Sequence, residues 1–316
     1  MARVLVTDHV SVDLELEASI LEPLGVELVV APATDEATLV DLASTADALL
    51  VCFASISRAV VEAAASAGCR IIARTGIGVD NIDTQAASER GIVVTNVPDY
   101  CLDEVADQTI LLMLASARGL LNAAGSVRTG GWTFPRDIHR LRGGQLTLVG
   151  LGRIGRRVAD RAVAFGLRVV AFDPFTADIQ PPISRAETLA EALVDADYIS
   201  LHLPLTEGSR HLICGETLQL ARRRPILVNT SRGGLVDLDA VLTALDAGDL
   251  RGVALDVTEL EPLPSQHSLR THPRALVTPH MAFFSIEAED ALRRSATDEI
   301  ARALRGDPPR SPIYPV

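Results

Sequence analysis

Short runs that are apolar at nearly every position alternate along the chain with longer stretches in which apolar residues return every three to four positions. The first series of runs reads "RVLVTD", "VELVVA", "ALLVC", "RIIART" and "IVVTN", separated by helix-like stretches such as Ser57–Ala67. A second series follows with "LTLVG", "RVVAFD", "YISLHL", "ILVNTS", "VALDV" and "ALVTP". Continuous rather than alternating apolar runs predict strands covered on both faces, and helices between them predict parallel sheets. There are too many such strands for one compact sheet. The pattern is therefore divided near Pro98, with residues 1–97 and 286–316 in one domain and 98–285 in the other. The last helix, roughly Ser285–Arg305, is expected to pack back onto the first domain. Only the tail "GDPPRSPIYPV" reads as irregular.

One stretch departs from simple amphipathicity. Glu104–Asn122, "EVADQTILLMLASARGLLN", predicts a single helix that is apolar around most of its circumference. A helix without a clear polar face needs cover on several sides. Burial between domains and a contact between subunits both satisfy that requirement.

Composition narrows the chemistry. The chain has 316 residues, of which 48% are hydrophobic and few aromatic, enough for two domains with sizeable cores. A net charge of −12 opposes binding to nucleic acid or an anionic membrane. No apolar run is long enough to span a membrane and "MARVLVTDH" has no signal pattern, so a cytoplasmic protein is expected. Cys52, Cys69, Cys101 and Cys214 are scattered, and read as small buried hydrophobes in a reducing compartment. The sequence contains no lysine. That excludes Schiff-base chemistry, a pyridoxal phosphate anchor and a Walker-type lysine together. No HExxH or clustered Cys/His spacing predicts a metal.

The junction "LTLVGLGRIGRRVA" (Leu146–Ala159) carries the first specific signal. Of its glycines, Gly150 permits the tight strand-to-helix turn, Gly152 lets a pyrophosphate approach the backbone, and Gly155 allows close helix–strand packing. Ile154, Val158, Ala162 and Phe165 continue at helical spacing until Gly166 supplies a stop. The next strand ends at Asp173, eighteen residues after Gly155, where an acid can accept from a ribose diol and repel a 2′-phosphate. No arginine follows directly in "DPFTAD", so NAD rather than NADP is expected. Later strands of the same series end in further chemistry: "ILVNTSRGGLVD" delivers Arg232, "VALDVTELEP" delivers Asp256 and Glu261, and "ALVTPHMAFFS" delivers His280. Ligands collect at the carboxyl edges of parallel sheets.

Together with "RTGIGVDNID" (Arg74–Asp83), these segments resemble, in order and over nearly the whole chain, the D-isomer-specific 2-hydroxyacid dehydrogenases. "DPF" after the ribose acid and "TPHxAxxS" around the histidine resemble most the branch containing C-terminal-binding proteins. The resemblance implies an α/β fold of two Rossmann-like domains with parallel sheets, the NAD-binding domain inserted into a flavodoxin-like substrate domain. It also implies roles. Arg232 would hold the substrate's carboxylate and carbonyl oxygen, His280 would exchange the proton, and Glu261 would fix and charge the imidazole. Arg153 and Ile154 would present backbone amides to the pyrophosphate at a helix N-terminus. Pro204 and Thr206 would border the adenine side, Thr230 and Asp256 would face the nicotinamide with Asp256 gripping its carboxamide, and Ser231, Arg232 and His280 would also bind the cofactor. Ile77 and Gly78 would offer N–H groups to the substrate carboxylate, with Arg74 nearby. A homodimer through the 104–122 region is implied too.

Two departures bear on the substrate. "HMAFF" places Phe283 and Phe284 beside the histidine where many relatives have small residues, narrowing the pocket or packing into an interdomain core. Phosphoglycerate dehydrogenases share the scaffold, but "LLVCFASIS" lacks the arginine they usually place there, and the chain stops short of their regulatory C-terminal domain. A neutral-tailed 2-hydroxy acid is therefore ranked above phosphoglycerate. An NADH-sensing interaction protein of the C-terminal-binding type, and an NAD-binding protein without catalysis, are the remaining alternatives.

Overall fold

The computed structural model describes residues 1–176 and 178–314. Its chain divides into two compact units, Met1–Tyr100 joined by the residues from Ser285 onward, and Cys101–Phe284. The division falls immediately before the helix that opens the second unit.

In the first unit β1 (Ala2–Val6), α1 (Glu15–Leu21), β2 (Val26–Val30), α2 (Glu36–Ala43), β3 (Ala48–Val51), α3 (Arg58–Ala67), β4 (Ile71–Arg74), α4 (Thr84–Glu89) and β5 (Val93–Thr95) follow one another. The second unit begins with α5 (Leu102–Ala117), α6 (Leu120–Arg128), β6 (Gln145–Val149), α7 (Arg153–Ala164), β7 (Arg168–Phe172) and β8 (Ile183–Arg185). It continues with α8 (Leu189–Val194), β9 (Tyr198–Leu201), α9 (Gly215–Leu218), β10 (Ile226–Asn229), α10 (Leu238–Ala247), β11 (Gly252–Leu255) and β12 (Ala275–Val277). The chain then returns to the first unit with α11 (Ile286–Arg305) and β13 (Pro312–Ile313).

The first sheet runs β13-β5-β4-β3-β1-β2 and is parallel except for β13, which pairs antiparallel with β5. The second runs β12-β11-β10-β9-β6-β7-β8 and is parallel throughout. Strand order reverses at β1/β3 in the first and at β6/β9 in the second, the two doubly wound arrangements in which ligands gather at the reversal.

Burial on both faces explains the unbroken apolar runs. Val4, Val6, Leu50 and Ile71 face Leu292, Ala296 and Ile300 of α11, while Leu5, Leu49, Val51 and Ile72 face Val60, Val61 and Ala64 of α3. In the second unit, Leu146 and Leu148 pack with Ile110, Met113, Val158 and Ala162, and Val149 packs on the other face with Leu193, Val241 and Leu245. Helix starts are set by side-chain acceptors: Asp35, Asp83, Asp237 and Ser285 each cap the helix that follows. Helix α11 is fixed to α1 by Arg293, which donates Nη2–H and Nε–H to the two oxygens of the buried Glu17 at 2.7 and 2.8 Å. Removing one partner of such a pair leaves a buried charge and costs about 3–5 kcal/mol.

Two expectations are corrected. The 104–122 segment is not one helix: it breaks between α5 and α6, which are inclined at 64°. The break is at Gly119, left-handed at φ +58°, where a Cβ would also strike Pro135 Cγ at 2.6 Å. The tail is not wholly irregular. Glu299 accepts from the N–H groups of Arg310 and Ser311 and lays Pro312–Ile313 against β5. Pro315 and Val316 of that tail lie outside the described residues. Helix α7 ends as its spacing predicts, with Phe165 at the C-cap just before Gly166. No single helix among the described residues is long and apolar enough to cross a membrane.

Candidate active site

Because the second sheet is parallel, the segments after β6, β9, β10, β11 and β12 all leave from one edge. Those segments contain the glycine turn, Pro204 and Thr206, Thr230–Arg232, Asp256 with Glu261, and His280.

The three glycines differ in what surrounds them. Gly150 has φ +92°, and a Cβ there would lie 2.2 Å from the His202 carbonyl oxygen. A Cβ on Gly155 would meet the Gly150 carbonyl oxygen at 2.7 Å. Around Gly152, by contrast, a Cβ would meet nothing within 4 Å. Two glycines are thus demanded by the fold, and the third lines open space at the N-terminus of α7. No side chain caps that helix; its N-cap is Gly152 itself, so the amides of Arg153 and Ile154 form an uncapped, positively polarised first turn. Such an end favours an anion. His202, which carries no signal of its own in "LHLPLT", is the residue whose backbone forces Gly150.

Asp173 ends β7 as expected, but its carboxylate is already well supplied. Oδ2 accepts from Leu151 N–H at 2.8 Å and Thr176 Oγ1 at 3.0 Å, and Oδ1 from the N–H groups of Phe175 and Thr176 at 2.9 and 3.0 Å. Partial burial pushes its pKa up, but these donors outweigh it and hold the carboxyl below the usual range. The result is a fixed negative charge with little unused acceptor capacity. Nearby, Ser209 Oγ donates to Pro204 O and accepts from Thr206 N–H, both at 2.8 Å, holding those two residues in an exposed turn.

Glu261 and His280 meet directly. His280 Nδ1 is 2.7 Å from Glu261 Oε2, and Glu261 Oε1 accepts from Thr258 N–H at 2.9 Å. Burial raises the Glu261 pKa, but its bond to His280, the Thr258 amide and the Arg232 charge together bring it below the usual value. An ionised carboxylate can only accept, so Nδ1 carries the hydrogen and Nε2 is left to exchange a proton. Arg232 leaves β10 through a loop organised by the buried Asn229, whose Nδ2–H donates to Arg232 O at 2.8 Å and whose Oδ1 accepts from Ser231 N–H at 3.0 Å. Ser231 Oγ–H donates to Leu201 O at 2.6 Å, and Thr230 Oγ1 pairs with Thr109 Oγ1 of α5 at 2.8 Å.

Asp256 is 1% exposed and serves its own loop. Its Oδ1 accepts from Met281 N–H at 3.1 Å and from Thr278 Oγ1, and its Oδ2 from Ala282 N–H at 2.8 Å. Its carbonyl oxygen takes His280 N–H at 2.7 Å. These bonds hold His280 at φ +51°, a conformation that costs a non-glycine residue about 1–3 kcal/mol. Asp256 therefore fixes the backbone around His280, and Asn229 that around Arg232. The Asn229 role has no sequence signature beyond a polar residue ending an apolar strand. Phe283 lies edge-on to His280, ring centroids 6.2 Å apart, and Phe284 edge-on to Phe283 at 6.4 Å.

In the first unit, Arg74 ends β4 buried, its guanidinium 5.7 Å from the centre of the Phe53 ring. A Cβ on Gly76 would overlap that guanidinium, which explains the glycine. The loop carrying Ile77 and Gly78 is fixed by Asn96 Nδ2–H donating to Ile77 O at 2.6 Å and Val97 N–H donating to Gly76 O at 3.0 Å.

Comparison with known proteins places the chain in a family. The sequence model described as "D-isomer specific 2-hydroxyacid dehydrogenase, NAD binding domain" matches residues 110–282. The D-3-phosphoglycerate dehydrogenase of Methanocaldococcus jannaschii is 39% identical, over 97% of this chain and 58% of that protein. The chain spans little more than half the length of the curated relatives it matches. A solved structure of a Thermus thermophilus protein is 36% identical with a TM-score of 0.88, over 98% of this chain and 99% of that one. The NADPH-dependent glyoxylate/hydroxypyruvate reductase of Sinorhizobium meliloti, solved with NADP and malonate, is 28% identical with a TM-score of 0.88, over 99% and 96%.

Proposed function

The chain belongs to the D-isomer-specific 2-hydroxyacid dehydrogenase family, and on that premise we propose that it interconverts a small 2-hydroxy acid and its 2-keto acid with NAD(H). The observation that carries this reading is the Glu261–His280 pair, 2.7 Å apart on the same sheet edge as Arg232 and the glycine cradle. Gly152, Arg153 and Ile154 would hold NAD(H), which would supply the hydride. His280 donates a proton from Nε2 to the carbonyl oxygen during reduction and removes it during oxidation. Glu261 stabilises the imidazolium that precedes donation. Arg232 clamps the carboxylate and steadies the oxygen as it gains charge.

Phe283, edge-on to His280, favours a compact or apolar substituent. Phosphoglycerate is the second reading, favoured by the names of relatives 39% and 34% identical. Against it, the N–H groups of Cys52, Phe53 and Ala54 already donate to the Asp8 carboxylate, leaving Arg74 beside the Phe53 ring as the one cation for a phosphate among the residues described above. For the cofactor, the discrimination against a 2′-phosphate rests on the fixed charge of Asp173 rather than on vacant acceptor positions.

The test follows NADH absorbance with glyoxylate, pyruvate, phenylpyruvate, a branched 2-keto acid and 3-phosphohydroxypyruvate. Turnover of at least one is expected, reduced about 10²–10⁴-fold in kcat by His280→Ala with NADH binding retained. NADH binding without turnover of any would support the sensor alternative. NADH is expected to be preferred over NADPH, and Asp173→Ala to relax that preference. Equal use of both cofactors by the unmodified protein contradicts the assignment of Asp173.

A further inference from the structure

Glu259 stands two residues before Glu261, outside the chemistry described above. Strands β9, β10 and β11 are parallel neighbours in the second sheet, so the segments that follow them leave its carboxyl edge side by side. Each segment carries part of the site: 204–211 follows β9, 230–236 follows β10, and 256–261 follows β11.

Backbone contacts join the neighbours. His211 N–H donates to Gly234 O at 2.8 Å and Ile213 N–H to Leu235 O at 3.0 Å, which ties the first segment to the second. Gly233, next to Arg232, runs so close to the third that a Cβ there would lie 2.0 Å from the Thr258 carbonyl carbon and 2.4 Å from Glu259 N. Thr258 in turn gives its N–H to Glu261 Oε1 at 2.9 Å and its Oγ1–H to Leu260 O at 2.7 Å. These bonds shape the 258–261 loop from within; charge holds its outer side. Glu259 Oε1 accepts from Arg210 Nη1–H, and His211 Nε2 lies 3.3 Å from Oε1 and 3.4 Å from Oε2 of the same carboxylate. The first segment is thus clasped to the third, with the Arg232 segment between them in sheet order. His211 meets Glu259 from a backbone at φ +50°, which a non-glycine residue keeps only where its surroundings impose it.

The side chains of Glu259 and Arg210 are 37% and 54% exposed, and an ion pair so placed contributes little to stability. Its effect lies in geometry. The loop it tethers carries the carboxylate that meets His280 Nδ1 at 2.7 Å, and small displacements of such groups are costly to a reaction. The 204–211 turn does not depend on the clasp, being held by Ser209 Oγ and by Arg210 N–H donating to Thr206 O at 2.9 Å.

We propose that Glu259 is a positioning residue: through Arg210 and His211 it sets the loop that aims Glu261 at His280. Its consequence for turnover rests on the reading of Glu261 and His280 as the acid–base pair.

The experiment titrates the His280 imidazole by NMR in the full chain with NADH in excess, the signal being assigned from its loss in His280→Ala. It also measures kcat with whichever 2-keto acid the parent protein turns over. Glu259→Gln and Arg210→Gln remove opposite charges, which separates position from electrostatics. Both variants are expected to loosen the Glu261 contact and to lower the His280 midpoint by about 0.5–1 pH unit. The double variant should move it no further than either single one. In each, kcat should fall about three- to tenfold, while NADH affinity stays within about twofold and the melting temperature within about 2 °C. Were charge alone at work, the midpoint would fall in Glu259→Gln, rise in Arg210→Gln and return to the parent value in the double variant. That pattern, or an unchanged midpoint in both single variants, overturns the proposal. A parent protein that turns over no 2-keto acid, in which the midpoints nonetheless fall together, would remove the acid–base reading and leave the positioning of the pair standing.

Discussion

His202 leaves β9 with its carbonyl oxygen in the space a Cβ on Gly150 would need, and with Nε2 2.8 Å from Ser200 Oγ. Burial pulls its pKa down to about 4. The unfolded chain, with an ordinary imidazole, therefore binds a proton between about pH 6.5 and 4 that the folded protein refuses. Folding stability is lost as pH falls through that window and levels off below it. Between pH 7.5 and 5 this residue should account for about 2 kcal/mol of lost stability. Urea unfolding at both pH values should show that His202→Gln removes this part of the pH dependence; an unchanged difference would refute the assignment. Residues such as Arg232, Glu261 and His280 were legible in the sequence because their neighbours repeat a family's pattern around them. His202, Asn229 and the loop-holding role of Asp256 were not. Their work is done through backbone atoms and partners that come together only after the strands are aligned.

At the scale of elements, the strands of both sheets could be read because each is apolar on two faces and bounded by turn residues. The exceptions have physical reasons. Strand β8 is an edge strand of three residues, Ile183–Arg185, with too few apolar positions to show a pattern. Strand β13 exists only because Glu299 gathers the N–H groups of Arg310 and Ser311 from eleven and twelve residues away. The α5–α6 break was hidden by apolar residues that continue the helical spacing past Gly119, and only the positive φ of that glycine reveals it. The glycine turn yields a prediction at this scale. Gly152→Ala should melt within about 1 °C of the parent protein, yet bind NADH at least tenfold more weakly, because its Cβ enters open space meant for a ligand. Gly150→Ala should lower the melting temperature by several degrees, since its φ and the His202 carbonyl both oppose a side chain. If both variants melt alike and bind alike, the division of labour among the glycines is wrong.

For the whole molecule, the outer surface of the second unit carries an unusual set of apolar side chains close together in sequence. Leu111, Leu120, Leu121, Val127 and Phe134 are each more than half exposed, and Trp132 is 88% exposed. Exposed apolar residues in such density mark an interaction surface, and a second copy of this chain is the occupant that the family resemblance implies. Light scattering at micromolar concentration should give twice the chain mass, and Leu121→Glu combined with Trp132→Ser should give a monomer. A monomeric parent protein would remove the proposal.

The way the second unit interrupts the first has a consequence for synthesis. Residues 101–284 form an uninterrupted stretch and can reach their native packing as soon as they leave the ribosome. Residues 1–100, although made before the second unit, lack the α11 face that covers Val4, Val6 and Leu50 until Ile286–Arg305 have been translated. The first unit thus completes its core only after the second has been made, and in the interval its uncovered sheet is the surface on which a chaperone would be expected to act.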